Sequence, residues 1–198
     1  MADVISIDDP DAPARVMAVL LEGGVAVLPT DTVYGLAASP DDPAALRRLF
    51  TLKGRDADVP VAVLCASATQ ALSLAGTVNV PAAVLAARHW PGPLTLVLPR
   101  DTDLEWDLGE PRSTIGVRCP AHDLIRSVTS DVGPIAVTSA NRHGEPTPTE
   151  AEAAASSLTG PVDLVVDGGS LIGNASTVVD ATVDPVRVLR AGPIDVEA

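Results

Sequence analysis

Val25-Ala26-Val27-Leu28-Pro29-Thr30-Asp31-Thr32-Val33-Tyr34-Gly35-Leu36 decides how the chain is read. Its first four residues are apolar, with no polar side chain among them. Such a run reads as a strand buried on both faces. Pro29 breaks it, and hydroxyls, an aspartate and a glycine follow in a turn-rich segment. Upstream, residues 11–22 read as a helix that ends at Gly23-Gly24. Downstream, Asp42-Pro43 opens a helix running to about Leu52, with proline in its first turn. The alternation continues outward. Strands are expected at 61–64, 94–98, 114–118, 135–138, 163–166, 177–180 and 186–190, and helices at 67–75, 81–89 and 149–158. The last three strands follow one another closely, so this is no regular βαβ repeat. The expected class is α/β: one domain over residues 1–198 with a core at about 14–192, a twisted mixed β-sheet flanked by helices.

Composition narrows the function. An apolar fraction of 46% suits a globular protein, and no run approaches the roughly 20 apolar residues of a membrane helix. The acidic, polar start lacks the basic-then-apolar pattern of a signal peptide, so a cytoplasmic location is expected, with no membrane partner. A net charge of −13 argues against bulk electrostatic coating of nucleic acid. Cys65 and Cys119 sit in apolar stretches and read as buried thiols. The three histidines have no metal-ligand spacing, so no protein-held metal is expected.

Three polar segments interrupt the apolar pattern. The first is residues 29–36. The second is Lys53-Gly54-Arg55 with Asp58 and Pro60; Lys53 is the chain's one lysine. It lies seven residues after Leu46, on the inward face with Leu49 and Phe50, so it must snorkel out or meet an anion. Gly54 favours helix termination, which would leave Lys53 and Arg55 projecting from a loop. The third runs from Thr138-Ser139-Ala140-Asn141 through Gly144 to Thr149, where Thr149 and Glu152 have capping-box spacing. Residues 100–113 are acid-rich and read as an exposed loop. In residues 114–118, alternation puts Thr114, Gly116 and Arg118 on one face, where an arginine beside a glycine has room for a bidentate carboxylate contact. Arg190 sits at the end of the last strand. No Walker-type phosphate loop, dinucleotide fingerprint or nucleophile elbow is present. Cations, hydroxyls and amides suit electrostatic stabilisation of phosphoryl chemistry more than covalent catalysis.

Seven stretches recur in order: PTDTVYGLAA from Pro29, KGR with D-x-P from Lys53, HWPGPLTLVL from His89, IGVRCPAH from Ile115, TSANRHGEPTPT from Thr138, STVVD from Ser176 and VLRAG from Val188. Together they resemble the YrdC/TsaC family of threonylcarbamoyl-AMP synthases, in its short form. The resemblance implies a mixed sheet around a basic cavity. It implies threonine contacts at Thr32, Arg118, Ser139 and Ser176. It implies an ATP site at Lys53, Arg55, Thr114, Asn141, Thr149 and Arg190, with Lys53 and Arg55 carrying the catalytic charge. Asp56 and Leu64 depart from the proline and histidine found in many or some relatives. The implied substrates are L-threonine, bicarbonate or CO2, and ATP with Mg2+. The product would be L-threonylcarbamoyl-AMP for tRNA modification. A separate threonylcarbamoyl-transferase complex would consume it, with at most weak tRNA contact by this chain. A module binding double-stranded RNA or tRNA without turnover is the rival reading; 2% aromatic residues leave it few stacking platforms. The related domain of hydrogenase maturation factors is a second rival, but those proteins carry zinc-finger and acylphosphatase parts that this chain has no residues to supply.

Overall fold

Alternate residues of the Val25–Leu28 run enter two different cores: Val25 and Val27 one, Ala26 and Leu28 the other. That is the two-faced burial expected of an uninterrupted apolar strand. The computed structural model describes residues 2–54 and 59–196. Its strands are β1 (Asp3–Ser6), β2 (Val25–Leu28), β3 (Gly35–Ala38), β4 (Ala62–Leu64), β5 (Leu94–Pro99), β6 (Thr114–Arg118), β7 (Ile135–Ser139), β8 (Leu164–Asp167), β9 (Thr177–Asp180) and β10 (Arg187–Arg190). The helices are α1 (Ala12–Leu21), α2 (Pro43–Lys53), α3 (Ala68–Leu72), α4 (Val80–His89), α5 (Asp123–Val132) and α6 (Ala151–Ser156). All the strands join one sheet in the order β1-β8-β2-β3-β7-β4-β6-β5-β9-β10. β1/β8, β2/β8, β4/β6 and β5/β9 run parallel, and the other neighbours antiparallel. The sheet is therefore mixed, as expected.

Side chains from α2, α3, α4 and α6 fill one face. The other core takes Val16 and Leu20 from α1 and Leu124, Ile125 and Val128 from α5. Complete burial of a Val or Leu contributes about 1.5–3 kcal/mol, so this small set suffices to seat both helices. α2 begins where Asp42 Oδ1 accepts from the backbone N–H groups of Ala44 and Ala45 at 2.7 and 3.1 Å. It stops at Gly54, whose φ of 61° is the left-handed conformation that favours glycine. No helix among the described residues is long and apolar enough to cross a membrane.

Several expectations need correction. β1, β3 and α5 were not anticipated. β3 is Gly-Leu-Ala-Ala, a composition with weak strand preference, and it forms because β2 and β7 pair with both its edges. α5 hides its apolar face among Ser, Thr and Asp. The helix expected at 149–158 is shorter and has Glu150 as its N-cap with no side-chain cap bond, so the Thr149 capping box does not form. Thr149 instead uses its carbonyl to accept from Leu171 N–H at 2.9 Å. Cys65 and Cys119 are buried free thiols; burial pushes Cys65 up to about 12.

One carboxylate ties β2 to the segment leading into β8. Asp163 accepts from Val25 N–H at 2.7 Å and from Arg48 Nη1 at 2.5 Å. Partial burial pulls its pKa up, but Arg48 and the Val25 N–H outweigh that and hold it below the ordinary 3.8. A depressed carboxylate contributes stability that is complete above the unfolded-state value and is lost as pH falls through the folded value. Asp163→Asn is therefore expected to flatten the fall of melting temperature below about pH 4, read by thermal melts from pH 7 to 2.5.

Candidate functional site

A row of small and branched residues crosses the sheet by register: Ala37–Val137–Ala62–Gly116–Val97. Ala37 lies in the core under α1 and α5. The other four line a cavity of about 240 Å3. The cavity is thus the same sheet face, continued past the ground those helices cover. Gly116 and Ala62 keep its floor low.

The turn after β2 forms one wall. Thr30 Oγ1 donates to Val33 C=O at 2.6 Å and accepts from the N–H groups of Thr32 and Val33 at 3.1 and 3.2 Å. This local clasp fixes Thr32 Oγ1, 3.0 Å from Thr30 Oγ1. Arg118, 5% exposed, donates from Nη1 to Thr32 Oγ1 at 3.1 Å and from Nε to Gly92 C=O at 3.1 Å. Its Nη2 pairs with Asp31, whose other oxygen accepts from Ala121 N–H at 3.0 Å. Burial pulls the Arg118 pKa down and Asp31 opposes that; an arginine stays charged in either case. The cavity's basic character is therefore qualified, since Asp31 already partners its buried arginine.

The loop 168–176 packs against this turn and brings Ala175 and Ser176 into the cavity lining. Tyr34, fully buried, donates from its hydroxyl to Gly169 C=O at 2.7 Å and accepts from Gly168 N–H at 3.0 Å. Gly173 presses on the turn so closely that a Cβ there would lie 2.1 Å from Thr32 C=O, a position no other residue could occupy without shifting backbone. At the loop's end Arg190 donates from Nε and Nη2 to Ser176 C=O at 3.0 and 2.8 Å, and from Nη2 to Ser176 Oγ at 3.0 Å. Leu108, 3% exposed, also lines the cavity, and its carbonyl accepts from Val61 N–H at 2.9 Å. Residues 100–113 are thus partly wall rather than simply exposed loop.

Thr32, Thr114, Arg118, Ser139, Ser176 and Arg190 all line this one cavity. Lys53 and Asn141 lie behind it. Lys53 is 2% exposed and donates to Ser139 C=O, to Ser139 Oγ at 3.0 Å and to Asn141 Oδ1 at 2.8 Å. It does not project from a loop, because it is still the last residue of α2 and its inward phase carries the ammonium under β7. Asn141 Nδ2 donates to the carbonyls of Arg142 and Glu145, at 2.8 and 2.6 Å, and its Oδ1 also accepts from Thr147. Its amide therefore holds the 141–147 loop together. Thr149 is exposed and outside the lining. Arg55, Asp56 and Asp58 fall outside the described residues. Leu64 lines the cavity. Sequence reasoning passed over Asp31, Tyr34 and Thr95. Thr95 had a signal of its own, as the lone hydroxyl between Leu94 and Leu96 in an apolar strand. Among the described residues no group of three or more His, Cys, Asp or Glu side chains could hold a metal ion.

A ten-stranded mixed sheet with a cation- and hydroxyl-walled cavity on the part of one face that its helices leave open defines an α/β protein built to hold a small polar ligand. The family described as telomere recombination, Sua5/YciO/YrdC, matches residues 18–192, and the chain belongs to it. Threonylcarbamoyl-AMP synthase of Bacillus subtilis is 38% identical over 200 residues, covering 100% of this chain and 58% of that protein. The structure of Pyrococcus abyssi Sua5 complexed with L-threonine superposes with a TM-score of 0.90 at 36% identity, over 100% of this chain and 59% of that one. Escherichia coli YciO superposes with a TM-score of 0.86 at 27% identity, over 100% of this chain and 98% of that one. The chain thus spans little more than half the length of the Bacillus and Pyrococcus proteins.

Proposed function

We propose that the chain is an L-threonylcarbamoyladenylate synthase, a nucleotidyltransferase that forms L-threonylcarbamoyl-AMP and pyrophosphate from L-threonine, bicarbonate or CO2, and ATP. The observation that carries the reading is Arg118, buried and held by Asp31 and Thr32 in a cavity sized for an amino acid. Its roughly 240 Å3 falls below the ~300 Å3 at which drug-sized pockets begin, so the nucleotide lies across the mouth. Arg118 takes the threonine carboxylate with the donors its protein partners leave over. Thr32, Ser139 and Ser176 surround the rest of the amino acid. The threonine amine captures CO2 as a carbamate, and a carbamate oxygen attacks the α-phosphate of ATP as pyrophosphate leaves. Arg190, exposed at the mouth, meets the phosphates together with Arg55 and Thr114. Lys53 acts through Ser139 and Asn141, whose positions it holds. Mg2+ bound to the nucleotide would supply charge neutralisation there. Positioning and charge carry the catalysis. A separate transferase complex then moves the threonylcarbamoyl group to tRNA.

The test is to incubate the protein with ATP, bicarbonate and single amino acids and to measure pyrophosphate. Threonine- and bicarbonate-dependent release is expected, with AMP in the product. ADP and free phosphate as main products would overturn the adenylation reading.

A further inference from the structure

Thr95 is 5% exposed and lines the cavity, and no step above uses it. Its Oγ1 lies 2.8 Å from Ser176 Oγ, and either oxygen could be the donor. Arg190 Nη2 donates to the same Ser176 oxygen. Counting protons settles what the pair can offer. Two hydroxyls carry two protons, and one of them is spent between the oxygens. If Thr95 donates, both lone pairs of Ser176 are taken, by Thr95 and Arg190, and the Ser176 O–H is left over. If Ser176 donates, the Thr95 O–H is left over. Either way the pair presents one O–H donor, and Thr95 keeps a lone pair able to accept. The complement is a group that accepts and donates at one atom, as an alcohol does.

Register locates the pair. Leu96 sits opposite Val117 on antiparallel β5/β6, so one further step places Thr95 beside Arg118. Neighbouring strands are about 4.8 Å apart. An amino acid whose carboxylate rests on Arg118 carries its β-substituent at about that reach.

We infer that Thr95, paired with Ser176, is the specificity-determining residue that reads the β-hydroxyl of the amino acid. The inference rests on the proposed threonine site. It explains how the cavity tells threonine from valine, which has the same shape with a methyl in place of the hydroxyl. With valine bound, the pair's proton and lone pair face a methyl, and a site built to hydrogen-bond a hydroxyl rejects such an analogue.

Calorimetric binding of L-threonine and L-valine without ATP tests the idea apart from turnover. The wild-type protein is expected to prefer threonine by about 10- to 100-fold, the range that follows from leaving one buried donor unpaired. Thr95→Val keeps the shape and removes the hydroxyl. It should weaken threonine about tenfold or more on the same reasoning, leave valine within twofold and so collapse the preference. Thr95→Ser should restore it. Equal loss of threonine and valine in Thr95→Val, or a wild-type preference below twofold, would overturn the inference; the second result needs no variant to fold. Threonine binding without pyrophosphate release would instead count against the proposed reaction and leave the inference standing.

Discussion

Replacing Lys53 with methionine is expected to lower turnover by about 10²-fold, the cost of letting the groups it positions shift from productive geometry, and to lower the melting temperature as well. The sequence places this lysine on an inward helix face, where it must snorkel out or meet an anion and where removing its charge ought to spare packing. The structure changes that expectation. The ammonium sits between Ser139 C=O, Ser139 Oγ and Asn141 Oδ1. A methionine fills the stem but leaves these oxygens facing a thioether. Hydrogen bonds to charged groups contribute about 1.5–3 kcal/mol each, and relief of the lysine's own burial offsets part of the loss. A net cost of roughly 3 kcal/mol is expected. In a domain of this size that corresponds to about 6–12 °C. Lys53→Arg should recover activity only in part, because a planar fork cannot reproduce a compact ammonium among three convergent acceptors. Differential scanning calorimetry and steady-state turnover read the two effects separately. Full turnover with an unchanged melting temperature would remove Lys53 from both roles.

Arg118→Ala is expected to weaken threonine binding by about 10- to 150-fold, equivalent to one charged hydrogen-bonding group, with much less change for ATP. It also leaves Asp31, half-buried, with its partner cation gone; breaking a fully buried pair costs about 3–5 kcal/mol, and a smaller loss of stability is expected here. The double variant Asp31→Ala/Arg118→Ala separates these effects. It should regain much of the stability, since no unpaired charge remains, and should regain none of the threonine affinity. Calorimetric titration of threonine and ATP alongside thermal melts measures all three quantities. Equal losses for both substrates, not relieved in the double variant, would assign Arg118 to folding alone.

The two-core strand β2 was legible because four consecutive apolar residues have few alternatives, and α2 was legible from Asp42, its proline and Gly54. β3 was not, because Gly35-Leu36-Ala37-Ala38 has the low strand preference that only neighbours override. Six of the residues singled out from sequence meet in the cavity, since hydroxyls and arginines at strand ends have little purely structural use. Lys53 and Asn141 were legible as polar and inward, but not as partners of each other. Their contact spans 88 positions, and no local pattern encodes it. Asp31 was hidden for a similar reason: a carboxylate in a turn is ordinary until Arg118 is brought to it.

The strand order also bears on how the chain matures during synthesis. β1 finds its partner only when residue 164 has emerged, since Asp3 pairs with Leu164, and β2 uses the same late strand. Pairings of such long range are slow to form, because loop closure precedes any contact that rewards it. Until then both early strands carry unsatisfied edges, the condition in which nascent chains associate wrongly. The ligand cavity matures later still, because its walls run from Thr30 to Arg190. A nascent chain short of β10 holds most of the sheet and no complete site, so competence to bind waits until Arg190 has emerged.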